Sequence, residues 1–236
     1  MEPIIKVSNL VQKAKRRTIL QDISFEVPQG AWWGIFGTQN SGKTSLMHIL
    51  AGVARFSSGQ VEILGMNAAK SEKFKRHLGL VTEENSLFQD MTVAENLDFI
   101  AVLKNASHND VQEMAERFEL QDYLAEPLGF IKKGVLQRLA LACAMLNRPQ
   151  VLIADELMEN IDLYSRSLIL RELKSFQSGG GTCLWAFSTI DFCQYVERVL
   201  WLEDGKMTLY KPEEALSEWN RQGKMYQENA LRTGCV

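Results

Sequence analysis

The sequence predicts an α/β fold, a mostly parallel sheet covered by helices and entered through an antiparallel N-terminal β region. Three observations carry this. Short β-like runs alternate with helical ones along the chain, as in a helix-covered parallel sheet. Trp32 to Phe36 is an apolar run that ends in a glycine-bearing loop and then a helix. Val151 to Ala154 is a second short apolar run, closed by two acids, Asp155 and Glu156. Such runs suit strands buried on both faces.

Taken in order, Ile4 to Ser8 and Ile19 to Val27 alternate as half-buried strands do, giving the antiparallel entry. Lys43 to Leu50 reads as the helix after the first core strand, and Val61 to Leu64 and Leu78 to Val81 as short strands. From Thr92 to about Leu146 the pattern is largely helical, and Thr92-Val-Ala-Glu95 has the spacing of a capping box, placing a helix start there. Leu163 to Phe176 reads as a helix and Thr182 to Phe187 as a strand, joined tightly through Gly179-Gly-Gly181. Val199 to Glu203 and Lys206 to Tyr210 flank Asp204-Gly205, a hairpin-turn signal. The stretch from Lys211 to Val236 reads as one helix and a loose end.

Gly37-Thr38-Gln39-Asn40-Ser41-Gly42-Lys43-Thr44 fits G-x-x-x-x-G-K-[ST] between a strand and a helix. Glycines let the backbone curl so that successive N–H groups converge on phosphate oxygens, and the helix start adds its positive dipole end. The candidate phosphate-binding set is therefore Gly37, Thr38, Gln39, Asn40, Ser41, Gly42, Lys43, Thr44 and Ser45. Lys43 is expected to reach the β- and γ-phosphates of a nucleoside triphosphate, and the Thr44 hydroxyl to ligate Mg²⁺. Asp155 is expected to support the metal through water, and Glu156 to accept a proton from attacking water.

Bulk properties exclude other classes. The 236 residues carry a net charge of -3, with 46% hydrophobic and 23% charged residues, so no basic field argues for nucleic acid. Cys143, Cys183, Cys193 and Cys235 form no Cys-x-x-Cys pair and read as small residues in a reducing compartment. The start, Met-Glu-Pro-Ile-Ile-Lys, lacks the form of a signal peptide, and no apolar run approaches the roughly 20 residues that cross a bilayer. The expectation is a cytosolic chain whose membrane role comes through a partner.

With both acidic strand end and phosphate loop placed, the chain resembles the nucleotide-binding subunit of an ATP-binding cassette (ABC) transporter, from about Ile4 to Tyr210. The resemblance also rests on Leu50-Ala-Gly-Val53 followed by Ser58-Gly-Gln-Val61, on Leu87 to Leu97, and on Gln137-Arg-Leu-Ala-Leu-Ala142 before Pro149-Gln-Val-Leu152. It implies a P-loop NTPase of ABC type in one domain, 1–236, with a helical subdomain at about 87–147. It implies ATP and Mg²⁺ as cofactors, an integral membrane subunit as partner, and a cytoplasmic, peripheral location. It further implies a second cassette, with each ATP closed over by the partner's signature motif. Leu87 to Phe99 is the candidate contact with the membrane subunit; the same apolar residues also suit the core of the helical lobe.

The departures from that family lie at functional positions. Its Leu-Ser-Gly-Gly-Gln signature aligns with Ile131-Lys132-Lys133-Gly134-Val135, which either is a decayed motif with solvated lysines or offers a lysine to phosphate as a point charge. Its switch histidine aligns with Ile190, and all three histidines (His48, His77, His108) precede Asp155. Its metal-sensing glutamine aligns with Glu83, a carboxylate that could still hold Mg²⁺. Its adenine-stacking aromatic falls near Ala14, in the basic stretch Gln12 to Arg17, and Asn40 stands at a common glycine. These changes predict ATP binding with slow hydrolysis; the alternative is a non-catalytic module whose ATP-dependent docking regulates a membrane complex. A soluble P-loop kinase is disfavoured by the long separation of Lys43 from Asp155.

Overall fold

In a computed structural model, the structure describes residues 3–15, 17–83 and 86–233, with side chains through Met225. The expectations that touch Arg16, Glu84, Cys235 and the last three residues lie outside the described residues.

The N-terminal alternation becomes a long hairpin. β1 (Pro3–Ala14) pairs antiparallel with β2 (Arg17–Pro28) on one side and with β4 (Ser58–Ile63) on the other. A two-residue β5 (Met66–Asn67) completes a four-stranded sheet, ordered β2-β1-β4-β5. The second sheet contains β3 (Trp32–Phe36), β6 (Leu78–Val81), β7 (Val151–Asp155), β8 (Thr182–Phe187), β9 (Arg198–Glu203) and β10 (Lys206–Tyr210), ordered β10-β9-β3-β8-β7-β6. All its pairings are parallel except the last hairpin, β9–β10. That hairpin turns through Asp204 and Gly205, both at positive φ (48° and 74°), as the Asp-Gly signal requires.

The core strands read as unbroken apolar runs because both faces are covered. Trp33, Ile35, Val151, Ile153, Leu184 and Leu200 face α1 (Lys43–Leu50) and the antiparallel sheet. Their neighbours Trp32, Phe36, Leu152, Ala154, Trp185 and Val199 face the larger helical layer. The period of two thus assigns each strand residue to one of two cores.

That layer holds α2 (Val93–Lys104), α3 (His108–Arg117), α4 (Lys133–Met145), α5 (Leu163–Ser178) and α6 (Pro212–Thr233). The first three lie between β6 and β7 in chain order. Thr92 caps α2 through a capping box with Glu95, as its spacing predicts. Ser107 and Asp110 form a second one at α3, which the sequence reading passed over. The expected helical stretch is broken at Asn105, which takes a left-handed conformation (φ 55°).

α4 is buried nearly all round, Gln137 and Arg138 included. Arg138 is accommodated because its Nη1 donates to the carbonyls of Phe118 (3.1 Å) and Glu119 (3.2 Å), just past the end of α3. Its guanidinium also lies over the rings of Tyr123 and Tyr164. No helix of the described residues is long and apolar enough to cross a membrane.

Candidate functional site

Three strand ends converge at one edge of the parallel sheet. Because β8 lies between β3 and β7, the loop after β3, the acids after β7 and the residues just after β8 meet there. Ligand sites of open α/β sheets form at such carboxyl edges.

The phosphate loop leaves β3 at the buried Gly37 and enters α1 at Gly42, whose φ of 106° is open to glycine and strained for any side chain. Asn40 takes φ 62°, the left-handed region asparagine tolerates, which explains how it serves in place of a glycine. Thr38, Gln39, Asn40 and Thr44 are exposed, Ser45 is half-buried, and the buried Ser41 hydroxyl has no hydrogen-bond partner among the described residues.

Lys43 is only 6% exposed and folds back over the loop. Its Nζ donates to the carbonyls of Gly37 (2.7 Å) and Thr38 (3.2 Å) and to Ser188 Oγ (3.0 Å), and lies 3.5 Å from Glu156 Oε1. Glu156 sits at φ 49°, an unusual conformation for a residue other than glycine and one that concentrates at functional sites. Its carboxylate accepts from Ser188 Oγ (2.5 Å) and from the Ser188 backbone N–H (3.2 Å). Burial pushes the Glu156 carboxyl above its ordinary range, against the Ser188 hydrogen bond and the Lys43 charge.

Asp155 is 2% exposed, and neither of its oxygens completes a hydrogen bond among the described residues. Burial raises its pKa; the Thr44 hydroxyl, near enough to act on it without well-formed hydrogen-bond geometry, and the Lys43 charge pull the other way. An orphaned buried carboxylate facing a helix-start hydroxyl suits a cation. Glu83, exposed just after β6, is near enough to raise the Asp155 pKa further. Among the described residues no group of three or more His, Cys, Asp or Glu side chains is arranged to hold a metal ion, so any ligand set here would have to include the Thr44 hydroxyl beside Asp155 and Glu83.

At the segment Ile131 to Val135, Lys132 caps α4 without a side-chain hydrogen bond, and Lys133 is its first residue. Gly134 packs that helix start onto α5: an added Cβ would lie 2.2 Å from Asp162 Oδ2 and 2.4 Å from Ser165 Oγ. Its glycine is therefore explained by helix packing. Ile190, in the helical turn after β8, is half-buried and offers no polar side-chain atom. Nearby, Thr189 Oγ1 donates to Glu159 Oε1 (2.7 Å).

The apolar segment at 87–99 is part core and part surface. Val93 and Leu97 are fully buried, whereas Phe88 and Phe99 stack edge to face at 4.7 Å on the surface, 42% and 37% exposed. Buried Asn96 fixes Phe88 by bonding both its backbone N–H (2.8 Å) and its carbonyl (3.1 Å). Cys143 and Cys193 are buried with thiols pushed up to about 12, and Cys183 likewise upward, as structural thiols should be.

Sequence reasoning missed Ser188. Its signal lay in strand order: once β8 is placed between β3 and β7, the first polar residue after β8 must fall between Lys43 and Glu156.

A family model described as ABC transporter matches residues 20–159. The probable multidrug ABC transporter ATP-binding protein YbhF of Escherichia coli is 27% identical over 211 residues, covering 87% of this chain. The chain spans only 36% of that relative's length. The lipoprotein-releasing system ATP-binding protein LolD of Buchnera aphidicola is 32% identical over 193 residues, 76% of this chain and 85% of LolD. Among solved structures, a dimeric post-hydrolysis state of the ATP-binding cassette MJ0796, bound to ADP and Pi, superposes with a TM-score of 0.81. The match covers 88% of this chain and 98% of that one at 21% identity, so it bears on the fold.

Proposed function

The chain belongs to the ABC transporter family, and we propose that it is an ATP-binding subunit that holds Mg-ATP on Gly37 to Ser45 and drives or gates a separate membrane subunit. One observation supports this reading above others. Lys43, Glu156 and Ser188 form a bonded triad at the sheet edge, beside a buried Asp155 whose oxygens complete no hydrogen bond among the described residues.

The residues fit the cofactors of this family. Thr44 and Asp155 would hold Mg²⁺, which when bound supplies charge neutralisation to the phosphates. The loop N–H groups and the start of α1 would bind phosphate oxygens. Lys43 would exchange the Gly37 and Thr38 carbonyls for phosphate. Glu156, at the mouth of the site, would accept a proton from water.

Hydrolysis is expected to be slow. Ile190 brings no hydrogen bond, and Lys132 and Lys133 stand where a serine and a glycine serve the family. Losing one well-placed stabiliser costs roughly 10²–10³ in rate, so two such losses leave little turnover. The lysines favour a second reading, an ATP-dependent docking module without catalysis; the intact Glu156 favours the first. In either reading the partners are an integral membrane subunit, met through the Phe88–Phe99 surface, and a second cassette, with the chain peripheral on the cytoplasmic face. Nucleic acid is not a partner.

The test is purification of the tagged chain from its native membranes in mild detergent. A membrane subunit together with a second cassette, either a further copy of this chain or a different, intact one, is the expected result. Recovery of the chain alone would contradict the subunit reading.

A further inference from the structure

We propose that Ser188 is a positioning residue for ATP hydrolysis, holding Glu156 in the orientation in which it accepts a proton. The inference rests on the reading of Glu156 as that acceptor.

A serine hydroxyl has one proton and two lone pairs, and a lysine ammonium can only donate. Lys43 Nζ lies 3.0 Å from Ser188 Oγ, so the hydroxyl must accept there. Its own proton is then directed at Glu156 Oε1, 2.5 Å away. The Ser188 backbone N–H donates to the other carboxylate oxygen, Oε2, at 3.2 Å. Both oxygens of Glu156 are thus held by one residue. The Glu156 backbone is anchored to the same strand, its N–H donating to the Ala186 carbonyl (2.9 Å).

This arrangement has a consequence for the nucleotide-bound state. Among the described residues Lys43 is the one cation paired with Glu156, and it is also the residue that phosphate would recruit. Once Lys43 turns to phosphate, the hydroxyl and N–H of Ser188 are what remain to fix the carboxylate. Neighbouring Ile190 cannot assist, and the Thr189 hydroxyl is engaged by Glu159.

The experiment measures single-turnover hydrolysis and equilibrium Mg-ATP binding by the full chain in its purified complex, for wild type, Ser188→Ala, Ser188→Thr, Glu156→Gln and the Ser188→Ala/Glu156→Gln double variant. Ser188→Ala is expected to slow hydrolysis about 10- to 100-fold while leaving the Mg-ATP Kd within about threefold, since it removes a hydrogen bond to a charged group outside the phosphate loop. Ser188→Thr, which keeps the hydroxyl, is expected to recover most of the rate. The double variant should be no slower than Glu156→Gln, because Ser188 acts through Glu156. Wild-type rates in Ser188→Ala, an equal loss in affinity and rate, or a further loss in the double variant would each overturn the inference. If Glu156→Gln is slow and Ser188→Ala is not, only this inference falls. If Glu156→Gln hydrolyses at the wild-type rate, the reading of Glu156 falls and takes it along.

Discussion

Replacing Lys43 by alanine is expected to weaken Mg-ATP binding by roughly 30- to 150-fold, about 2–3 kcal/mol. A charge-assisted contact to phosphate is a strong one, but Lys43 is not idle in the free protein. Its ammonium already serves two carbonyls and a hydroxyl and pairs with Glu156, so phosphate gains only the difference. That competition sets the estimate at the modest end of what removing a buried charge partner costs. The variant also leaves Glu156 largely buried without its cation, which lowers stability as well. Calorimetric titration of both proteins checks the affinity, and a thermal melt separates loss of binding from loss of fold. An unchanged Kd would remove Lys43 from the phosphate site.

Glu156→Gln is expected to reduce hydrolysis by about 10²–10³ while preserving or strengthening ATP binding. The two effects have opposite signs because the carboxylate plays two parts. As the proposed proton acceptor it cannot be replaced by glutamine, whose amide does not take up a proton. It is also the charge that holds Lys43 away from phosphate, at 3.5 Å, and the amide removes that competition. Single-turnover assays with protein in excess, alongside nucleotide titration, resolve both. Equal trace rates in wild type and variant would show that Glu156 is not a working base.

Much of the fold was legible because its signals are local. The strands Leu78–Val81, Thr182–Phe187 and Lys206–Tyr210 and the helix Lys43–Leu50 lie where pattern alone places them. The last hairpin is also bounded by a turn that the chain spells out, Asp204-Gly205. The break in the helical layer was less legible: the chain takes a left-handed turn at Asn105, and an asparagine permits that without announcing it.

In the site, the phosphate loop and the acids after β7 were readable because strand, loop and helix are contiguous in each. What no periodicity could give was the order of strands. Ser188 lies 145 residues from Lys43 and 32 from Glu156, and only the placement of β8 between β3 and β7 brings them together. The glycine at 134 was read as a remnant of a binding motif, and packing against Asp162 and Ser165 is reason enough for it. The resting contacts of Lys43 likewise depend on folding back across the loop, a geometry its motif does not encode.

The first measurement is titration of the purified wild-type chain with ATP, with and without Mg²⁺. Saturable binding at one site, strengthened by Mg²⁺ through Thr44 and Asp155, is the expected result. Absence of saturation at millimolar ATP, or an affinity indifferent to Mg²⁺, would contradict it.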